Sequence, residues 1–331
     1  VKNGWRPVLA GRQEDKVRPI AKRLGLDYRV FDLTDPETIA SQLSGMKLVM
    51  HCAGPFSATS APMLAACLEA GADYLDVTGE IAVFEHAHGL ADDIRRAGIV
   101  ACPGVGFDVI PTDCVAAALH RALPDATQLA LGFDTASHMS PGTAKTAIEW
   151  MGMSGQARRR HQIITVPQAW KIRRINFGAG TKTAMTIPWG DVSTAWHTTG
   201  IPDIEVYLPV PLPLLAGAKS ANYLGPLLRS HFVQRTLKKL VDRFVTGPDE
   251  HQRAASCTHV WGEARNAQGV TVTARVRTAH VYELTVTGAM AMIERLLEDR
   301  PLPGCYTPGR LMGPEFVCTL EGSGPMEISR D

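Results

Sequence analysis

Short apolar runs alternate with longer amphipathic stretches through the first 106 residues of this chain. The runs predict strands, and the stretches between them have the length and period of helices. Glycine and proline mark the borders, since Asp35-Pro36 opens one predicted helix and Gly45 closes it. The predicted strands are residues 6–12, 27–33, 47–54, 73–79 and 99–106, and helices are expected at residues 60–71 and 81–98. This alternation predicts a parallel sheet covered by helices on both faces.

After about residue 124 the pattern changes to longer β-rich stretches of alternating polarity. Residues 179–189 and 270–286 predict antiparallel strands with one solvent-facing side. We therefore expect an α/β chain with a Rossmann-type parallel sheet that lacks its first strand, followed by a second α+β domain. The expected boundaries are 1–124, 125–288 and 289–331, the last being a C-terminal helix and tail. The three prolines in residues 208–217 predict an apolar loop or lid there.

Composition excludes several classes of function. The chain has 331 residues, of which 45% are hydrophobic, and its 34 basic and 33 acidic residues leave a net charge of +1. With so small a net charge, the chain has no overall electrostatic field that would attract nucleic acid or an anionic membrane. The seven cysteines are scattered and form no C-x-x-C pair, which favours a reducing cytoplasm over a disulfide framework. No apolar run of about 18 residues predicts a membrane span, while peripheral membrane contact and a homodimer stay open.

Candidate cofactor residues lie at the predicted strand ends, where parallel sheets bind ligands. Arg12 directly follows a strand, at the position that contacts the ribose, and it would pair with the 2′-phosphate of NADP; otherwise it is a solvated arginine. Asp32 either meets the adenine or caps the next helix. Ala53 and Gly54 would let a flat ligand approach the backbone, with Pro55 fixing the turn; the alternative is an ordinary tight βα turn.

The opening unit of a dinucleotide fold is not visible in the sequence. Such a fold begins with a strand and a glycine-rich turn at a helix N-terminus, which holds the pyrophosphate. Residues 1–4 instead resemble a helix end closed by Gly4. We expect an N-terminally truncated fragment, the alternative being a domain that starts one strand late and binds no dinucleotide.

Candidate acids and bases lie in the second domain. Asp191 and His197 stand in a stretch bounded by glycine and proline and could supply the proton that accompanies a hydride; the alternative is a turn with an aspartate cap and a packing histidine. Lys145 could face a ligand, although surface lysines are common. Residues 158–161, Arg-Arg-Arg-His, predict a solvated face, and His51 predicts a buried core histidine.

Other catalytic patterns are absent from the sequence. None of the six tyrosines is followed four residues later by lysine, so the short-chain dehydrogenase dyad is missing. Neither metal-ligand spacing nor a Gly-x-Ser-x-Gly elbow is present. Metal-dependent hydrolysis and serine acylation are therefore not expected, and no metal site is predicted.

Two longer motifs resemble those of a known protein family. Residues 51–57, His-Cys-Ala-Gly-Pro-Phe-Ser, and residues 66–80 closely resemble the saccharopine dehydrogenase-like oxidoreductases, which include mycobacterial trans-acting enoyl reductases. Segments 106–113, 190–197, 200–202 and 306–308 are similar to the same group. The resemblance implies an NAD(P)-binding Rossmann domain, an α+β domain over its strand ends and a small-molecule redox substrate. It also implies that the cofactor-side positions are Gly11, Arg12, Ala53, Gly54 and Pro55.

Together these features predict an NADPH-preferring reductase of a small or lipid-like enoyl or carbonyl compound, with NAD as the alternative cofactor. The nicotinamide would lie near Gly54 and Pro55. Two other functions stay open. One is an amino-acid dehydrogenase of the saccharopine type, which would need a carboxylate-binding arginine. The other is a non-catalytic binding or scaffold protein that kept the fold, which the absent glycine-rich loop suggests.

Overall fold

The computed structural model describes residues 4–135, 154–228 and 257–330. Strands and helices alternate in the first of these ranges, in this order: β1 Leu9–Gly11, α1 Glu14–Leu24, β2 Tyr28–Val30, α2 Pro36–Leu43, β3 Leu48–His51, α3 Phe56–Ala70, β4 Asp73–Asp76, α4 Ile81–Gly89, α5 Ala91–Arg96, β5 Val100–Cys102, α6 Ile110–Ala122 and β6 Ala126–Thr135.

The remaining ranges are richer in strands. Their elements are β7 Gly155–Arg159, β8 Gln162–Val166, β9 Ile172–Asn176, β10 Thr181–Ile187, α7 Asp191–Thr199, β11 Asp203–Pro209, α8 Leu212–Leu228, β12 Thr258–Asn266, β13 Thr271–Thr278, α9 Val281–Glu298, β14 Gly304–Cys305, α10 Pro308–Met312, α11 Phe316–Thr319 and β15 Glu327–Arg330.

The first half forms the expected parallel sheet. Strands β3, β4, β5 and β14 pair in parallel, and β1 pairs in parallel with β2. Every residue of β4 and β5 is buried, as expected for strands covered by helices on both faces. Among the described residues no strand joins β1 to β3, so the sheet is in two pieces. The predicted Rossmann-type fold is confirmed.

Capping residues, proline and glycine set the helix ends in this half. The Asp35 side chain accepts a hydrogen bond from the Thr38 amide at 3.1 Å and caps α2, whose first residue is Pro36. The predicted helix at residues 81–98 is instead two helices, because the chain breaks after Gly89 at Leu90. Glycine weakens a helix by about 1 kcal/mol relative to alanine, which favours a break at this point.

The second half builds a larger mixed sheet. Its order is β15-β13-β12-β6-β11-β10-β9, and the β7–β8 hairpin attaches to β11. Neighbouring strands on this path are antiparallel except β6 and β11, which are parallel. Helix α6 packs closely on β12, because a Cβ on Gly262 would lie 2.5 Å from the Val115 side chain. The expected α+β architecture and the strand within residues 179–189 are confirmed.

Two predictions in this half were wrong. The stretch 270–286 is not a continuous strand, since β13 ends at Thr278 and the side chain of His280 caps α9. The three-proline stretch is not a loop, because Pro209 ends β11 and α8 begins at Leu212. Pro213 falls in the first turn of α8, where the backbone N–H has no partner within the helix and proline therefore costs little.

The C-terminal segment returns to the parallel sheet. Strand β14 pairs with β5, and Arg300 forms an ion pair with the buried Asp73 at 2.7 Å. The chain thus passes from the parallel sheet to the larger sheet and back again. Of the helices in the described ranges, none combines the length and hydrophobicity that a bilayer-crossing segment needs.

Candidate active site at the junction of the two sheets

The predicted cofactor residues lie at the carboxyl ends of the first three strands. Gly11 ends β1 and is followed by Arg12, Asp32 follows β2, and residues 53–55 connect β3 to α3. Hydrogen bonds from the Thr34 side chain and amide lower the pKa of Asp32, and the charge of Arg12 lowers it further. Arg12 and Asp32 are therefore neighbours at one edge of the sheet, and both are exposed.

The residues at this edge fit the two ends of a dinucleotide. Ala53, Gly54 and Pro55 are exposed, and a Cβ added to Gly54 would meet nothing closer than the Phe56 ring at 3.7 Å. Their backbone is therefore open to a flat ligand such as nicotinamide, while the exposed Arg12 suits the 2′-phosphate. A glycine-rich pyrophosphate turn is not found among the described residues. A bound NADP would thus be held by these groups at its ends.

Two carboxylates tie the ends of β3, β4 and β5 together. The Phe56 amide, at the start of α3, donates to Glu80 Oε1 at 3.0 Å. Asp76 Oδ1 accepts from the amides of Thr78 at 2.9 Å and Gly104 at 2.8 Å. Burial raises the pKa of Asp76 to about 6. These bonds fix the loops whose exposed backbone faces the expected cofactor.

The second half of the chain meets this edge at the start of α7. A Cβ on Gly190 would lie 2.7 Å from the Phe84 ring and 3.1 Å from the Gly79 carbonyl oxygen. Because Gly190 lacks a side chain, α7 rests directly on the turn after β4. We call this contact the junction, and define it as residues 78–80 and 102–108 against residues 189–191. Asp191, the first residue of α7, lies in it.

Asp191 is a fully buried acid, with 0% of its surface exposed. Neither carboxyl oxygen has a donor in hydrogen-bond geometry, although the Thr112 hydroxyl lies nearby. Burial raises the pKa of Asp191 well above its usual range, and the charges of Asp113 and Asp108 raise it further. Burial therefore favours the neutral form of this side chain over the ionised form. Such an unsatisfied buried group costs about 1–3 kcal/mol, which marks it as a candidate for function.

Two further aspartates accompany Asp191. Asp113, in α6, accepts hydrogen bonds from the Thr198 hydroxyl at 2.5 Å and the Gly309 amide at 2.7 Å. Asp108, just before α6, is half-buried. Burial raises the pKa of both carboxyls to about 6. Sequence reasoning assigned neither residue a role, although both lie in segment 106–113, whose resemblance to the family was the available signal.

His197 lies in a different cluster from Asp191. Six positions along α7 turn a side chain by about 240°, so the two residues occupy different faces of the helix. The His197 ring stacks on His88 with centroids 3.5 Å apart, and its Nε2 lies 3.7 Å from Glu85 Oε1. Burial, with a contribution from the charge of His197, lowers the pKa of His88 to about 3. The structure does not bring the two expected acids together.

The expected solvated face at residues 158–161 was wrong for Arg158, whose side chain is only 3% exposed. It donates to Glu85 Oε1 at 2.8 Å, to the Val192 carbonyl at 2.8 Å and to the His161 carbonyl at 2.6 Å. Its guanidinium lies 4.6 Å from the Trp196 ring centroid. Arg158 is buried because Glu85 and Trp196, which are far away in the sequence, enclose it. It links α4 to the second half of the chain.

Two remaining candidates have different outcomes. His51 is buried, with its Nε2 3.0 Å from the Thr59 hydroxyl, so the predicted core histidine is confirmed. Burial lowers its pKa to about 4. Lys145 lies outside the described residues. Within the described ranges, no group of three or more histidine, cysteine or acidic residues is arranged to hold a metal ion.

Comparisons with known proteins agree with this arrangement. Residues 1–102 match the family model of the saccharopine dehydrogenase NADP binding domain. The chain is 29% identical over 178 residues to the trans-acting enoyl reductase of Mycobacterium tuberculosis, a match covering 49% of this chain and 42% of that protein. It is 32% identical over 125 residues to the Mycobacterium ulcerans enzyme of the same name, covering 35% and 29% respectively. The match thus spans less than half the length of these curated relatives.

The fold has a counterpart among solved structures. Apo saccharopine dehydrogenase (L-Glu forming) from Saccharomyces cerevisiae superimposes with a TM-score of 0.66 at 11% identity, covering 98% of this chain and 94% of that one. At this identity the likeness concerns the fold alone. The first 102 residues thus match an NADP-binding domain of the saccharopine dehydrogenase type, and the fold of the whole chain resembles that of saccharopine dehydrogenase.

Proposed function

We propose that this protein is an NADPH-preferring reductase of a small or lipid-like enoyl or carbonyl compound. The observation that carries the proposal is the junction, where the buried acid Asp191 lies against the turn after β4, in the sheet whose β3 end exposes Ala53–Pro55. A bound nicotinamide cofactor supplies a hydride at such an edge. The chain's own groups then bind the acceptor, exclude water and supply a proton.

The choice of NADPH over NADH rests on Arg12. Its guanidinium is exposed at the end of β1 and lies close to Asp32. A planar cation at this position can make paired charge-assisted hydrogen bonds to a 2′-phosphate, which NADH lacks. Asp32 would lie on the adenine side of the same ligand. NAD stays the alternative cofactor.

The kind of acceptor is inferred from the charge state of the acids. A neutral carboxylic acid donates a hydrogen bond to a carbonyl oxygen, whereas a cationic imine would be better matched by an ionised carboxylate. Of the two acids expected from the sequence, Asp191 lies in the junction, whereas His197 packs against His88 and Glu85. These features favour an enoyl or ketone substrate over the amino-acid imine of a saccharopine-type reaction.

A lipid-like substrate and a reducing compartment are further parts of the proposal. At the start of α8, Leu212 and Leu214 are 70% and 54% exposed, which provides an apolar surface next to β11. The relatives named trans-acting enoyl reductase support the enoyl part of the proposal. All seven cysteines are free thiols, consistent with a reducing cytoplasm.

Cofactor preference is tested by titrating the protein with NADPH and NADH. We expect tighter binding of NADPH, and we expect Arg12→Asp to weaken it roughly tenfold to a hundredfold, since hydrogen bonds to charged groups contribute about 1.5–3 kcal/mol. Arg174→Asp, on the exposed side of β9, is the matched control and should leave both affinities unchanged. Equal affinities of the unaltered protein for the two cofactors would contradict the role of Arg12.

The substrate class is tested by following NADPH oxidation with an enoyl thioester, a ketone, and a 2-oxo acid mixed with an amine. Turnover with either of the first two and not with the third supports the proposal. Asp191→Asn should reduce turnover without weakening NADPH binding, and His197→Asn should have a smaller effect. Preference for the amino-acid mixture would instead support a saccharopine-type dehydrogenase.

A further inference from the structure

The acid that protonates a substrate has to touch it, and Asp191 is enclosed. None of its surface is accessible, because α7 presses it against the turn after β4 and against α6. Asp113 is also fully buried, and its two carboxyl oxygens already accept hydrogen bonds from Thr198 and Gly309. Neither residue can reach an acceptor in this arrangement.

Asp108 and Glu80 are the partly exposed acids of the junction, and Glu80 already accepts a hydrogen bond from the Phe56 amide. Asp108 follows β5 and precedes α6, and the residue is partly exposed, whereas Asp191 and Asp113 are fully buried. A Cβ added to Gly79 would lie 2.7 Å from Asp108 Oδ2, so the carboxyl lies directly over the backbone at the end of β4. The Trp189 indole donates to the Asp108 carbonyl at 2.8 Å and holds the backbone of this segment against the start of α7. Asp108 is thereby fixed at the sheet edge where ligands bind in this fold.

The surroundings of Asp108 favour its protonated form. The Asp191 carboxyl of α7 interacts with the Asp108 carboxyl, and Glu80 directly follows the glycine on which Asp108 lies. Within residues 4–135, 154–228 and 257–330, no lysine or arginine forms an ion pair with any of the three. In the same ranges, no donor lies in hydrogen-bond geometry to the Asp108 carboxyl, and burial raises its pKa to about 6. An acid with a pKa near the working pH can both release and regain a proton, as general acid catalysis requires.

We propose that Asp108 is the general acid of this site and that Gly79 makes room for it at the end of β4. The inference rests on the proposed reductase function and names the residue that contacts the acceptor. A bound nicotinamide cofactor would supply the hydride. The O–H bond of Asp108 breaks, its proton bonds to the acceptor atom that carries the negative charge after hydride transfer, and the electron pair of that bond stays on the carboxylate. A proton from solvent restores the acid, since Asp108 is accessible to water.

The test compares Asp108→Asn with Asp92→Asn, an exposed aspartate of α5 that forms an ion pair with Arg95. NADPH affinity, kcat and the pH dependence of kcat are measured for both variants and for the unaltered protein. We expect Asp108→Asn to lower kcat about a hundredfold or more with NADPH affinity unchanged. The unaltered protein should lose activity as the pH rises through about 6, because the acid must be protonated, and the Asp108→Asn variant should lack this decline. The Asp92→Asn variant should match the unaltered protein.

Gly79→Ala provides a second variant that leaves the acid in place. The added methyl group would displace the Asp108 carboxyl, so we expect kcat to fall more than the KM for NADPH rises. Circular dichroism of each variant establishes that it folds. If the unaltered protein reduces an acceptor and Asp108→Asn keeps both its kcat and its pH profile, the role of Asp108 is refuted while the reductase stands. If the unaltered protein neither binds NADPH nor reduces any acceptor, the reductase proposal fails, and the role of Asp108 fails with it.

Discussion

Replacing Arg158 by methionine should loosen the link between α4 and the second half of the chain. Methionine keeps most of the length and apolar character of the arginine stem, so the stem still packs against Trp196. The guanidinium is lost, and with it the hydrogen bonds to the Glu85 carboxylate and to the carbonyls of Val192 and His161. The change therefore isolates the charged head group.

The size of the effect follows from what each acceptor loses. The Val192 carbonyl belongs to a buried residue and loses a donor, at about 1–3 kcal/mol. Breaking a fully buried ion pair costs about 3–5 kcal/mol. The Glu85 side chain is 41% exposed and keeps a hydrogen bond from Ser193 at 2.5 Å, so water replaces part of that loss. His161 is exposed, and its carbonyl can bind water instead. We expect a total near 3 kcal/mol.

Thermal unfolding followed by circular dichroism measures this loss. For a large domain, about 3 kcal/mol lowers Tm by roughly 6–12 °C. Arg174→Met is the matched control, because Arg174 is exposed on β9 and the same substitution there should change stability by less than about 0.5 kcal/mol. A melting temperature of the Arg158→Met variant within 1 °C of the unaltered protein would refute the reasoning.

Three further outcomes are expected. Asp191→Asn should raise Tm at pH 8 and leave it nearly unchanged near pH 4, because the unfolded aspartate ionises above about pH 4 while burial raises the pKa of the folded side chain and disfavours its ionisation; a lower Tm at pH 8 would contradict this. Gly262→Ala should cost about 1–3 kcal/mol in urea unfolding, since the new Cβ would lie 2.5 Å from Val115 Cγ1 and 2.7 Å from Leu119 Cδ1; an unchanged midpoint would show that α6 can shift. Burial raises the pKa of Glu85, but hydrogen bonds and nearby charges lower it to about 2. The ionised Glu85 therefore stabilises the fold above pH 4.5, and this stabilisation is lost as the pH falls towards 2. A Glu85→Gln variant should lack this acid-dependent loss of Tm.

Much of the parallel sheet could be predicted because its signals are local. Glycine closes α1 and α3 at Gly25 and Gly71, both with positive φ, and Asp35 opens α2. A short apolar run between two such signals has few alternatives to a buried strand. The positions of Arg12 and Ala53–Pro55 at strand ends followed directly from this order.

The acids at the junction could not be predicted in the same way, because their environment comes from distant parts of the chain. Asp108 and Asp113 precede or begin a helix, where an aspartate is usually a solvated cap. The groups that enclose Asp113 include Thr198 and Gly309, more than 80 positions away. The same reason explains the error at Arg158, whose neighbours in sequence are charged but whose neighbours in space are Glu85 and Trp196.

The proline-rich stretch shows a third kind of error. Three prolines in ten residues reduce the average propensity for both helix and strand, yet each proline acts only at its own position. Pro209 stands at the end of a strand and Pro213 in the first turn of a helix, where a missing N–H is tolerated. Counting prolines without placing them relative to element ends led to the wrong prediction.

The pairing of β14 with β5 has a consequence for how the protein forms during synthesis. The outer edge of β5 is covered by residues 304–305, which leave the ribosome long after β5 itself. Until then, the outer edge of β5 has unpaired backbone groups, and Asp73 lacks its ion-pair partner Arg300. We therefore expect nascent chains that end near residue 290 to be degraded or to aggregate more readily than the finished protein. Residues 300–305 act late, as the step that completes the first half of the fold.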